Sequence, residues 1–319
     1  MKRCIDDNKS IGYDYYIEDV LLYIFRVYTK SIKINKYDKT IFKLGCVCSY
    51  WNSILHKFII TSFKYNFSDI IMKHFIELQH VILYENLSIT NEGIKNLTNI
   101  TKLEVRSQRS EPLITLDGIK HLTNINNLMI DISHEKDDLK DYCLYHLTNI
   151  HTLNIEYNNV ISDEGIKYLT NITDLSLYEN YKISDEGIKY LTNITSLNLN
   201  KTDMITDHVI KKLTNINKLS LCYNEKITDE GIKYLTNITE MKLCCNCVFH
   251  YTDKITDEGI RYLTNITKLK LCCDTIITDD GIKYLTNITN LYLCCGTKIT
   301  NKGIKHLTNI KNLYCHYNI

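Results

Sequence analysis

The chain has 319 residues, with 38 lysines and arginines against 37 aspartates and glutamates, one proline, 13 cysteines and 24 tyrosines. A net charge near zero supplies no basic field for nucleic acid or an anionic membrane, and no stretch approaches the ~18 uninterrupted apolar residues of a spanning helix. The cysteine count is odd and no apolar stretch backs the basic residues of Met1-Lys2-Arg3-Cys4-Ile5-Asp6-Asp7, which predicts reduced thiols in a cytoplasmic or nuclear protein that is not secreted.

Residues 1–15 read as a tail. The next segment, Tyr16-Ile17-Glu18-Asp19-Val20-Leu21-Leu22-Tyr23-Ile24-Phe25, opens on acids and then sets Val20, Leu21, Ile24 and Phe25 at helical spacing. Further on, Leu44, Val47, Cys48, Trp51 and Leu55 fall at i, i+3, i+4, i+7 and i+11, a second amphipathic helix. A module of roughly 40 residues cannot bury a large core alone, so it leans on a neighbour. "YIEDVLLYIF" and "LGCVCSYW" resemble the opening and close of an F-box, over residues 16–56. Ile17 stands where that family has proline, and Thr29 to Lys39 lengthens the middle loop.

The resemblance implies a small all-α F-box-like module, residues 16–60. It would dock the Skp-family adaptor subunit of a cullin–RING ubiquitin ligase through Val20, Leu21, Ile24, Phe25, Val47 and Trp51. An ordinary helical cap on the array is the other reading of the same residues. Residues 61–74 read as a connecting helix or cap.

From residue 75 to 319 the chain repeats itself. Leu-Thr-Asn-Ile is written ten times, with leucines at 97, 122, 147, 169, 191, 213, 235, 263, 285 and 307, so the steps are 25, 25, four of 22, then 28, 22 and 22. Such a period means one supersecondary unit stacked on copies of itself, each too small to bury its own apolar face. In the unit from Ile172, Leu175 and Leu177 alternate with Asp174, Ser176 and Tyr178 as in a short strand with the leucines inward. Ser184 then reads as an N-cap, Asp185 and Glu186 suit the positive end of a short helix, and Ile188 and Leu191 form its buried stripe. Gly187 recurs in eight units, where a missing side chain lets stacked units approach; Cys143 and Val209 break the rule and predict looser or shifted packing there. Phe75 lies 22 residues before Leu97, so the array holds eleven strands, about 48 Å of sheet at about 4.8 Å per strand. The last unit is cut at Ile319 without a polar cap, which predicts fraying or a covering partner.

L-x-x-L-x-L-x-x-N, with Asn86, Asn158, Asn180, Asn224, Asn246 and Asn318 at the final position, resembles a leucine-rich repeat, and the element Ile205-Thr206-Asp207, Ile227-Thr228-Asp229 and Ile255-Thr256-Asp257 resembles its cysteine-containing subclass. The resemblance implies an α/β solenoid, a horseshoe with a parallel sheet and short convex helices. Its concave face would carry the central outward column Ile82, Glu104, Met129, Asn154, Ser176, Asn198, Ser220, Lys242, Lys270, Tyr292 and Tyr314. The inward positions scarcely change while this column drifts, as expected either of a partner-reading surface or of an unconstrained one. Its basic and aromatic end, Lys242, Lys270, Tyr292 and Tyr314, suits a protein partner. The 28-residue step inserts a loop whose Phe249 and Tyr251 read as a contact finger or as a loop folded onto its neighbours.

Cys222, Cys244, Cys272 and Cys294 share one repeat position, and Cys245, Cys273 and Cys295 the next. They lack the C-x₂-C spacing of zinc sites, so small buried thiols copied with the repeat account for them better than a metal or redox site. No catalytic motif is present, and neither a cofactor nor a metal is expected. The order F-box then leucine-rich repeats implies a non-catalytic substrate-recognition subunit of a ubiquitin ligase, binding a target protein and neither nucleic acid nor membrane; a stand-alone protein-binding scaffold is the alternative. The Ile, Lys and Asn bias also resembles proteins of giant DNA viruses, which implies a host-cytoplasm location.

Overall fold

Each unit of the array is a hydrogen-bonding problem solved by its neighbour. The computed structural model describes residues 69–72, 78–84, 89–107, 113–132, 141–158, 160–243, 254–271, 275–294 and 296–315. All lie within one unit, His56–Ile319, and the readings placed on residues 1–68 fall outside them.

Eleven parallel strands follow one another in chain order in a single open sheet: β1 (His80–Tyr84), β2 (Lys102–Ser107), β3 (Asn127–Ile132), β4 (Thr152–Asn154), β5 (Asp174–Ser176), β6 (Ser196–Asn198), β7 (Lys218–Ser220), β8 (Glu240–Leu243), β9 (Lys268–Leu271), β10 (Asn290–Leu293) and β11 (Asn312–Cys315). Equivalent repeat positions pair directly, so Leu175 lies opposite Leu153 and Leu197. The expected alternation holds: Leu175, Leu177, Leu197 and Leu199 are at most 2% exposed, while Ser176 and Asn198 are half-buried. On the edge strand β11 the equivalent Leu313 is 43% exposed, as expected where no further rung covers it. This is the leucine-rich-repeat solenoid.

The helices are single turns such as Asp163–Ile166 and Asp185–Ile188. Ser184 caps the second by accepting from the Glu186 backbone N–H. The helix ends at Ile188, short of Leu191, because the Leu191 N–H bonds back to Ile188 O at 3.0 Å and tightens the chain into a turn. Leu191 is nonetheless fully buried.

Three ladders join unit to unit. In the first, the aspartate opening one helix grips the cap of the next: Asp163 accepts from the Ser184 backbone N–H at 2.7 Å and from its hydroxyl at 2.6 Å. The same pair of bonds joins Asp229 to Thr256 across the long loop. The recurrent glycine makes room for this grip, since a Cβ on Gly187 would stand 2.4 Å from Asp163 Oδ1. In the second ladder, the asparagine of each Leu-Thr-Asn-Ile donates to the threonine carbonyl of the preceding one, as Asn193 does to Thr170 at 2.9 Å. In the third, buried Asn180 donates to Asn158 O at 2.6 Å while its carbonyl accepts from the backbone of Lys182 and Ile183. That bonding holds the preceding residue, Glu179, at φ 53, and Tyr157, Lys201 and Tyr223 repeat the left-handed conformation. Each such non-glycine residue costs about 1–2 kcal/mol.

The glycine exceptions behave differently from each other. At Cys143 the helix becomes a 3₁₀ turn, Asp141–Leu144, with the thiol 3.6 Å from Asp117 Oδ1. At Val209 the helix Asp207–Ile210 persists with its Thr206 cap, but the first-turn bond from Val209 to Thr206 stretches to 3.3 Å, against 3.0 Å at Gly231.

Candidate partner-binding face

The eleven residues of the outward column fall in one register across the sheet: Ile82 pairs Glu104, Glu104 pairs Met129, and so on to Lys242 opposite Lys270 and Tyr292 opposite Tyr314. The drifting positions are thus one continuous face. Along it the chemistry changes twice.

At β1–β2 the face is sealed by charge. Glu104 is only 7% exposed and stands 2.7 Å from Lys102 Nζ, 3.0 Å from Arg106 and 3.9 Å from His80. Burial pushes its carboxyl up, but the hydrogen bond from Lys102 and the charges of Lys102, Arg106 and His80 outweigh it and hold it below the usual carboxylate value. Burial and the Lys102 charge depress His80 in turn, against the pull of Glu104. At β4–β6 the column is a neutral hydrogen-bonded strip. Asn198 donates to Ser176 at 2.8 Å and Ser176 to Glu156 at 2.6 Å, while Asp174 accepts from the neighbouring Thr173 hydroxyl at 2.9 Å.

At β7–β11 the face turns basic and aromatic. Lys242 and Lys270 are side by side, and the rings of Tyr292 and Tyr314 stack at 4.5 Å with 5° between their planes. The structure therefore brings together all four sequence-chosen residues that it describes. It adds the flanking row Lys218, Glu240 and Lys268, two residues earlier in each strand, which the sequence reading passed over because it followed the central column alone. Glu240 lies 3.4 Å from Lys242 and 3.8 Å from Lys268. Among the described residues, Lys218 and Lys270 have no carboxylate at ion-pairing distance.

Phe249 and Tyr251, and the six F-box-like residues Val20, Leu21, Ile24, Phe25, Val47 and Trp51, lie outside the described residues, as do Cys244, Cys245, Cys272, Cys273 and Cys295. Of the first cysteine row, Cys222 is buried and Cys294 half-buried. Among the described residues no cluster of three or more His, Cys, Asp or Glu side chains could hold a metal, and no helix is long and apolar enough to cross a membrane.

A second repeated surface was not singled out from sequence: Tyr168, Tyr190, Tyr234, Tyr262 and Tyr284, just beyond the helices, are 43–57% exposed. The signal was the recurring Tyr-Leu before Thr-Asn-Ile. Lys167, Lys189, Lys233 and Lys283 each stand over the next residue's ring at 5.0–5.3 Å while bonding a carboxylate three residues back, so this row is self-satisfied.

Residues 146–170 and 212–235 match the family described as Leucine Rich repeat. No curated protein matches the chain by sequence. Among solved structures, a chain of the Rad7 and Elc1 complex from yeast is similar at TM-score 0.58 and 18% identity, over 92% of this chain and 84% of that one. An internalin, InlF, of Listeria monocytogenes is similar at TM-score 0.54 and 20% identity, over 85% of both chains. The TLR13–ssRNA13 complex is similar at TM-score 0.54 and 17% identity, over 81% of this chain and 38% of that one. At these identities the likeness is one of fold alone, the leucine-rich-repeat solenoid.

Proposed function

We propose that the chain is a non-catalytic substrate-recognition subunit of an F-box-type ubiquitin ligase. The F-box-like segment docks a Skp-family adaptor, and the outward face of the sheet holds the target protein for ubiquitin transfer. The observation that supports the repeat half most directly is the single register of the drifting column, which turns unrelated positions into one face about 48 Å long. The ligase half is supported by the paired amphipathic segments around Phe25 and Trp51 placed ahead of a repeat array. The Rad7–Elc1 complex is a solved case of a similarly folded chain assembled with a second protein.

Co-purification with the ligase adaptor tests the proposal. Stoichiometric capture is expected, and a Leu21→Asp, Trp51→Ala double variant should abolish it while leaving the repeat array folded. Absence of capture, or capture unaffected by the double variant, would leave the stand-alone scaffold in its place.

A further inference from the structure

The outward face is charge-segregated, and the segregation lies in the rows that pair across the strands. On β4–β5 and the turn that follows β4, Glu156 and Asp174 are half-buried and, among the described residues, face no cation at ion-pairing distance. Two strands further on, Lys218, Lys242, Lys268 and Lys270 surround one carboxylate, Glu240, leaving an excess of three positive charges on β7–β9. Between them β6 presents only Ser196 and Asn198. From Asp174 and Glu156 to the centre of the lysines is about three and four strand steps respectively, so about 14–19 Å.

We infer that this face binds a protein segment that is itself charge-segregated: an acidic stretch over Lys218, Lys242, Lys268 and Lys270, and a basic residue reaching Glu156 and Asp174. An extended chain covers ~3.3 Å per residue, so acidic and basic stretches stand roughly five residues apart. The stacked pair Tyr292–Tyr314, with Tyr314 51% exposed, extends the basic end with a flat aromatic surface for the segment's apolar or cationic side chain. Lysines beside stacked aromatics also suit single-stranded nucleic acid. A polyanion long enough to follow the sheet, however, would lay phosphates against Glu156 and Asp174, where like charges repel. A peptide segment meets both ends favourably. This inference rests on the proposed target-binding role and specifies what the target offers.

The test is a selection of random displayed peptides of about 16 residues on the full chain, long enough to span both ends of the face. The selected sequence is then measured by fluorescence anisotropy. Enriched peptides should carry an Asp/Glu block and a Lys/Arg block separated by roughly five residues. Lys218→Glu with Lys270→Glu should weaken the selected peptide about tenfold or more, and Glu156→Gln with Asp174→Asn by about threefold; raising salt from ~50 to ~300 mM should weaken it further. No enrichment, enrichment without segregated charge, both variants within about twofold of the parent, or tighter binding of a single-stranded RNA oligonucleotide would each overturn the inference. Adaptor capture is an independent readout: its loss with peptide binding intact sinks the ligase assignment alone, and the converse sinks only this inference.

Discussion

The rungs from β4 to β11 and the rungs from β1 to β3 use one repeat to different ends. In the later stretch, strands are three or four residues long, helix aspartates grip the next cap at 2.6–2.8 Å, and ion pairs on the outward face leave lysines to spare. In the earlier one, β2 and β3 are six residues each, and at the junction with β4 the grip changes character. Asp117 there accepts from the Tyr142 hydroxyl at 2.7 Å and lies near the Cys143 thiol, instead of capping a serine or threonine. The outward carboxylate Glu104 is buried among its own cations. Regular rungs satisfy their backbone through neighbours and leave the face open; irregular rungs close the face on themselves.

The sharpest test of that division is Asn180→Ala. It removes the donor to Asn158 O and the acceptor for two backbone N–H groups at a fully buried position. Leaving buried groups unpaired should cost about 2–4 kcal/mol, read as a lower urea midpoint. Next is Gly259→Ala, whose Cβ would meet Asp229 Oδ1 at 2.2 Å and Asp229 Cα at 3.0 Å. Overpacking costs about 1–3 kcal/mol and the helix propensity of alanine returns up to ~1, so a net loss near 1–2 kcal/mol is expected. Cys143→Gly at the irregular junction empties a fully buried position and frees the unfolded backbone, so it should also lower the urea midpoint, by about 1–2 kcal/mol. Stabilisation by Cys143→Gly would instead show that this junction is a strained copy of the regular grip.

Smaller again is Asp163→Ala, which deletes two half-buried bonds to Ser184 and should cost about 1 kcal/mol. It also removes the atom that Gly187 makes room for. In a double-mutant cycle, Gly187→Ala should therefore cost less in the Asp163→Ala background than in the parent. An additive cycle would show that the glycine is there for another reason.

Much of this was written in the repeat itself. Burial forces Leu and Ile to recur at fixed steps, so strand number, register and the outward column could be read from spacing alone. What spacing could not give is which atoms the recurrent polar residues touch. Asp185 suits a helix dipole, but its bonds to the next unit's Thr206 cap depend on how units stack. The Leu-Thr-Asn-Ile asparagine reads only as a letter of the repeat until the preceding carbonyl lies beside it. Charge segregation was missed because it lies in the rows beside the column rather than in the column itself.

The smallest expected effect falls on the closed end of the face. His80 is held below its ordinary value chiefly by burial and then by Lys102, while Glu104 is held low by its cations despite burial. Both are depressed in the folded state, so in each case the unfolded chain binds more protons as the pH falls. Their contributions are present above the unfolded values of 6.5 and 4.5 and are lost below them, first through His80 and then through Glu104. The urea midpoint should therefore drop between about pH 7.5 and 5.5, and His80→Gln should flatten that limb without altering the one below about pH 4.5. Glu104→Gln should do the reverse, and it should cost stability at neutral pH because Lys102 and Arg106 then face each other across a neutral amide. A pH profile unchanged by either substitution would mean that these four side chains do not act as a closed cluster, and the contrast with the open lysines of β7–β9 would lose its physical basis.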